Sequence, residues 1–112
     1  GLARRVALAR AFAVEPKLLI LDEPFTSLDR PLAVRLRDEL AMLVDRRPVT
    51  TLLVTHDLDE AVRLADRLFL LSARPARILA AMPILPPRAA RSEEVVASLE
   101  AAIARQQRTL EA

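Results

Sequence analysis

The chain has 112 residues, of which 53% are hydrophobic and 29% are charged, and its formal net charge is +2. This length allows one domain, or part of one, with a hydrophobic core, and the composition argues against intrinsic disorder. Arginine supplies nearly all the positive charge, but acids are interspersed with the arginines, which excludes a basic arm for nucleic acid. The lack of cysteine excludes disulfides and thiolate metal sites, and no apolar run reaches the roughly 20 residues of a membrane helix.

Two helices and two strands are predicted in the first half of the chain. A helix over residues 3–14 is amphipathic. Its apolar face consists of Leu2, Val6, Ala9 and Ala13. Residues 18–21 lack polar alternation, which predicts a strand buried on both faces, as in a parallel sheet between helices. A second helix begins after the N-cap Asp29 and ends before Pro48, and a second buried strand covers residues 50–55.

The two predicted strands bring three side chains to one edge of the sheet. A strand, helix and strand of these lengths form a βαβ unit, whose strands are parallel. Asp22 and Glu23 end the first strand and His56 follows the second, so all three lie at the edge where α/β sheets bind ligands. This set suits metal-assisted attack of water on a phosphoryl group. The plainer alternative is that the two acids only solvate a loop and that His56 is structural.

The second half of the chain predicts a short helix, a hairpin and a terminal helix. Asp57 and Glu60 form an acidic capping box at the start of the short helix. A buried strand over residues 68–71 and a following strand over residues 78–84 form the hairpin, and a proline-rich connector follows them. Ser92 caps the terminal helix. The apolar stripe of this helix consists of Val96, Leu99, Ile103 and Leu110.

Four short motifs follow one another along the chain, at residues 1–11, 18–23, 27–29 and 55–57. Together they resemble motifs of the ATP-binding subunits of ABC transporters. Residues 1–11 are similar to the end of the LSGGQ signature and the helix following it, 18–23 to the Walker B strand with its adjoining glutamate, 27–29 to the D-loop, and 55–57 to the switch-histidine motif. The run Glu-Pro-Phe-Thr-Ser-Leu-Asp and the hairpin Leu-Leu-Ser-Ala-Arg-Pro-Ala-Arg-Ile most resemble importers of the nitrate, sulfonate and taurine group.

The resemblance implies an α/β fold: part of a P-loop NTPase (RecA-like) fold with parallel strands, a C-terminal hairpin and a terminal helix. Residues 1–85 would be the C-terminal part of the nucleotide-binding domain, and residues 86–112 a linker and helix. The implied cofactors are ATP and Mg²⁺. Asp22 would hold Mg²⁺ through water, Glu23 would be the general base, and His56 would contact the γ-phosphate.

The resemblance also implies partners. Ser27 and Asp29 belong to the D-loop at the interface of a nucleotide sandwich dimer, where Asp29 would couple the two subunits. Gly1 would touch the ATP held by the second subunit. Transmembrane permease subunits would be driven at the cytoplasmic face of the inner membrane, with a periplasmic or extracellular solute-binding protein as an indirect partner. No nucleic acid is expected as a partner.

The sequence departs from the family pattern in its missing parts. It contains no Walker A loop, no Q-loop and only the end of the signature, so we expect a C-terminal fragment that does not hydrolyse ATP alone. Without the central Walker A strand, strands 18–21 and 50–55 should pair directly in parallel. Strands 50–55 and 68–71 should stand apart or collapse together.

Two other functions compete with the importer. A soluble ABC-type ATPase that acts on DNA or ribosomes shares the Walker B, D-loop and histidine motifs, but short linkers and the lack of a coiled-coil insertion argue against it. A basic interaction module rests on the arginine content alone, and its binding to nucleic acid would have to survive physiological salt.

Overall fold

The computed structural model describes residues 2–111, which form an α/β chain with four α-helices and two small sheets. Its elements are α1 Leu2–Ala13, β1 Leu18–Asp22, α2 Arg30–Arg46, β2 Thr50–Val54, α3 Leu58–Leu64, β3 Arg67–Leu71, β4 Ile78–Pro83 and α4 Glu93–Glu111. The chain divides into two compact units, the first extending to His56 and the second beginning at Asp57. No helix within residues 2–111 is long and apolar enough to cross a membrane.

The first sheet consists of β1 and β2, which are parallel and in direct contact. Their register runs from Leu18 opposite Thr50 to Asp22 opposite Val54. The helix α2 joins them, so strand, helix and strand form the βαβ unit that the sequence predicted. Direct pairing of these two strands is therefore confirmed, and β2 and β3 belong to different sheets.

The prediction that both strands are buried on both faces is wrong for the described residues. Leu19 is buried, but its neighbours Leu18 and Ile20 are exposed, Ile20 by 60%. On β2, Leu52 and Val54 are also exposed. Successive side chains of a strand point to opposite faces, so one face of this sheet is covered within the described chain and the other is not.

The predicted apolar face of α1 is also wrong, although the helix itself is confirmed. Leu2 is 77% exposed, whereas Leu8 and Phe12 are buried. These two side chains lie one turn apart and carry more apolar area than the alanines of the predicted face, so their burial stabilises the unit more. Arg4 lies one turn before Leu8 on the same side of the helix, and it is half-buried. The other buried side chains of the first unit are Leu19, Phe25, Leu36 and Leu40.

The second unit packs α3 and α4 with the antiparallel hairpin of β3 and β4. Its core consists of Val62, Leu68, Leu70, Ile84, Val96 and Ile103. The predicted stripe of α4 is confirmed at Val96 and Ile103, but Leu110, in the last turn, is exposed. Both predicted caps are present, since Asp57 accepts hydrogen bonds from the first turn of α3 and the Ser92 hydroxyl accepts one from the Val95 amide.

Candidate functional site

The candidate site is built on Glu23, the residue that follows β1. The Glu23 amide donates to the Val54 carbonyl at 2.7 Å, which continues the pairing of the two strands by one residue. The backbone of Glu23 then turns into the left-handed region, with φ at 47°. This conformation is unfavourable for a residue with a Cβ atom, so the surrounding contacts have to hold it.

Glu23 and His56 are in direct contact. The Glu23 Oε1 atom accepts hydrogen bonds from the His56 amide at 3.0 Å and from the His56 ring Nδ1 at 2.8 Å. A carboxylate only accepts, so Nδ1 carries the proton in this contact. The His56 side chain is 80% exposed, which leaves it accessible to a ligand. The convergence expected from the two parallel strands is thus present in the structure.

The second carboxylate oxygen of Glu23 is held from within its own loop. The Thr26 hydroxyl donates to Glu23 Oε2 at 3.1 Å. The hydrogen bond from His56 is the largest effect that lowers the pKa of Glu23, and the bond from Thr26 lowers this pKa further. Glu23 is therefore ionised and fixed in orientation at neutral pH, with hydrogen bonds to both oxygens.

Asp22 is the last residue of β1 and is exposed beside Glu23. Within residues 2–111 no group of three or more His, Asp or Glu side chains is gathered as a metal cage. Mg²⁺ does not need such a cage, because one or two carboxylates usually hold it together with water and substrate phosphates. A single exposed carboxylate at the strand end fits Mg²⁺ brought by a nucleotide.

The remaining predicted site residues lie in the loop before α2, apart from Gly1, which is outside the described residues. Ser27 is exposed, and its backbone is left-handed with φ at 69°. Asp29 occupies the predicted N-cap position of α2, but its side chain makes no capping hydrogen bond. The exposed carboxylate of Asp29 is therefore not used to start the helix.

Two residues that sequence reasoning missed hold this loop. The Arg4 guanidinium donates to the carbonyls of Pro24 and Thr26, the latter at 3.0 Å. Thr26 in turn contacts Glu23, as described above. The spacing of Thr26 three residues after Glu23 could have indicated a local hydrogen bond. Arg4 lies four residues before the buried Leu8, so it is on the same side of α1.

Comparisons with known proteins agree with these motifs. No family model matches the chain. The aliphatic sulfonates import ATP-binding protein SsuB 2 of Pseudomonas syringae pv. tomato is 44% identical over 84 residues, which is 75% of this chain and 36% of that protein. SsuB of Bacillus licheniformis is 39% identical over 112 residues, 99% of this chain and 44% of that protein. The bicarbonate transport ATP-binding protein CmpC of Synechocystis is 43% identical over 97 residues, 86% of this chain and 14% of that protein.

These matches, together with the site at the carboxyl ends of β1 and β2, define the class of protein. The chain belongs to the ATP-binding proteins of ABC transporters. Within that class, the group that includes the sulfonate import and bicarbonate transport proteins fits this chain. The chain spans less than half the length of these relatives.

Proposed function

We propose that the chain is part of the ATP-binding and ATP-hydrolysing subunit of an ABC importer, which energises transport of a solute across the membrane. The contact between Glu23 and His56, with Asp22 beside it, carries this proposal. Phosphoryl transfer to water requires a metal-binding carboxylate, an acceptor for water and a donor for phosphoryl oxygens. At this sheet edge Asp22 and Glu23 would supply the first two, and the His56 ring would donate from Nε2 when that nitrogen is protonated together with Nδ1.

Each group has a defined task in this proposal. Asp22 would hold the Mg²⁺ of the nucleotide through water, and the metal would neutralise charge on the phosphates. Glu23 accepts a hydrogen bond from the attacking water and orients it. As the general base, it also takes the proton from this water during the attack. The exposed ring of His56 contacts the phosphoryl group.

The proposal extends to the fold and to the second subunit. In the complete domain the exposed face of β1 and β2 is covered in a P-loop NTPase (RecA-like) arrangement, to which residues 1–85 contribute and from which residues 86–112 continue as linker and helix. The exposed hydrophobic side chains Leu18, Ile20 and Leu52 support this proposal, because a further layer of the domain would bury them. In a dimer with a second copy of the subunit, Asp29 would couple the two subunits, Ser27 would lie beside it in the D-loop, and Gly1 would touch the ATP held by the second copy.

The partners follow from the importer class. Transmembrane permease subunits receive the conformational change at the cytoplasmic face of the membrane, and a solute-binding protein delivers the solute to them. The relatives named above import aliphatic sulfonates or transport bicarbonate, which are small anions, so we propose a small anion as the solute. Their names favour an importer over the soluble ABC-type ATPase.

Glu23→Gln in the complete protein tests the site. We expect ATP binding to persist and the hydrolysis rate to fall by about 10²-fold or more, because Gln is neutral and is a weaker hydrogen-bond acceptor for the attacking water. His56→Ala should lose a similar factor. Glu15→Gln is the matched control, since Glu15 pairs with Arg47 at 2.7 Å on the same unit and should leave turnover unchanged. Near-normal hydrolysis by the Glu23 variant would remove this residue from the proposed role.

The chain by itself provides a second test. Its sequence has no GxxxxGK[ST] loop and only one glycine, so the backbone cradle and lysine for the phosphates are missing from it. We expect no measurable ATP binding or hydrolysis by these 112 residues alone with Mg²⁺ present. Saturable ATP binding in calorimetry would contradict this expectation.

A further inference from the structure

A short chain of hydrogen bonds reaches Glu23 from α1. The Arg4 guanidinium donates to the carbonyls of Pro24 and Thr26. The Thr26 hydroxyl donates to the Glu23 Oε2 atom at 3.1 Å. Arg4 therefore holds the backbone of the residue whose side chain fixes one carboxylate oxygen of the candidate catalytic group.

The loop from Glu23 to Asp29 needs an external support. Glu23 and Ser27 both have left-handed backbones, which are unfavourable for residues other than glycine. The turns within the loop have long hydrogen bonds, 3.3 Å from the Thr26 amide to the Glu23 carbonyl and 3.4 Å from the Leu28 amide to the Phe25 carbonyl. Bonds of this length are weak, so they do not by themselves select the left-handed conformation.

Arg4 is suited to supply that support. Its planar guanidinium contacts two carbonyls that are two residues apart, and two contacts with a rigid group fix an orientation as well as a distance. Arg4 is half-buried one turn before the buried Leu8, so its stem starts from a packed part of α1. Between the two carbonyls, the buried ring of Phe25 anchors the loop.

We propose that Arg4 is a positioning residue for the Glu23 carboxylate and that it acts through Thr26. This inference rests on the proposed function of Glu23. Without the Arg4 contact, the Thr26 backbone shifts and its hydroxyl leaves Glu23 Oε2. Glu23 then keeps the bonds from His56 on Oε1 alone, and its carboxylate rotates away from the orientation that aligns the attacking water.

The test measures ATP hydrolysis and ATP binding by variants of the complete protein. Arg4→Gln and Thr26→Val should each lower kcat by about 10- to 100-fold, the scale for a displaced catalytic group, with the Kd for ATP unchanged. Thr26→Ser keeps the hydroxyl and should restore kcat. Arg5→Gln is the matched control, because Arg5 is the next residue of α1 and pairs with Glu39 at 2.7 Å, and it should leave kcat unchanged.

One further readout separates positioning from a general loss of structure. The double variant of Arg4 and Thr26 should lose no more than either single variant, because both changes break the same connection. A fall in kcat that Thr26→Ser does not rescue, or losses that multiply in the double variant, would overturn the proposal.

The outcome also distinguishes this proposal from the one on which it rests. If Glu23→Gln keeps near-normal turnover, the proposed function of Glu23 fails whatever the Arg4 variants do. If Glu23→Gln abolishes turnover while Arg4→Gln and Thr26→Val have the kcat of the unmodified protein, the positioning proposal alone is wrong.

Discussion

Arg91 is expected to be the side chain whose loss most weakens the second unit without opening a cavity. Its guanidinium donates to four backbone carbonyls, those of Pro86 at 2.8 Å, Val62 at 3.0 Å, Ile84 at 3.1 Å and Arg63 at 3.4 Å. Two of these carbonyls lie in the last turn of α3, where the helix has no amide to pair with them. Arg91 therefore completes the C-terminal end of α3 and ties it to the end of β4.

The size of the effect follows from these bonds. The bonds to Val62 and Arg63 share one nitrogen, and the second is long, so they count as about one, which leaves three effective bonds. A bond to a charged donor contributes about 1.5 kcal/mol at the low end of its range, and burial makes an orphaned carbonyl costly. Arg91 is partly buried, which lowers its pKa, and this desolvation offsets part of the stabilisation that the hydrogen bonds give. We therefore expect Arg91→Ala to lower the free energy of unfolding by about 2 to 4 kcal/mol.

Urea denaturation followed by far-UV circular dichroism measures this loss. With the usual dependence on urea, the midpoint should fall by about 1 to 2 M. Arg91→Lys keeps the charge but replaces the planar fork by a point donor, so its midpoint should be intermediate. Arg105→Ala, a change of an exposed arginine on α4, is the control and should stay within about 0.5 kcal/mol. Equal midpoints for Arg91→Ala and Arg105→Ala would show that water satisfies the carbonyls and would refute the reasoning.

Two other changes test the docking of α4. Ile103 is 3% exposed in the second core, so Ile103→Ala should cost about 2 to 5 kcal/mol in the same titration, and an unchanged midpoint would exclude α4 from the core. A hydrogen bond with Asp59, followed by desolvation, raises the pKa of Glu100 above 4.5, so folding loses stability as the pH rises through the raised pKa. Glu100→Gln should therefore be more stable than the unmodified protein at pH 7, and a pH-independent difference between them would contradict this.

The order and type of the elements could be predicted from the sequence because they depend on local patterns. The apolar run of β1, the capping residues Asp57 and Ser92, and the turn of the hairpin each mark their element within a few residues. Parallel pairing of β1 and β2 followed from the length of the helix between them. The contact between Glu23 and His56 could be predicted because it follows from that pairing.

The buried faces could not be predicted in the same way, because burial depends on what else packs against the element. A run such as 18–21 is apolar at every position, so it does not say which face is covered. On α1, the predicted apolar face and the buried side both follow the helical period, and the size of Leu8 and Phe12 decided between them. The sequence pattern predicts the period of a helix or strand, whereas tertiary packing decides which of its faces is buried.

The geometry around Glu23 lies beyond local patterns for a different reason. Left-handed turns are usually predicted from glycine, but the only glycine of the chain is Gly1, so the loop makes these turns with Glu23 and Ser27. The contacts that hold them come from Arg4, 20 and 22 residues away along the chain. Glu15, which is outside the candidate site, also has a left-handed backbone, with φ at 51°, so this conformation alone does not mark a functional residue. At Glu23 it coincides with hydrogen bonds to both carboxylate oxygens, and the two observations together support a role for this carboxylate in function.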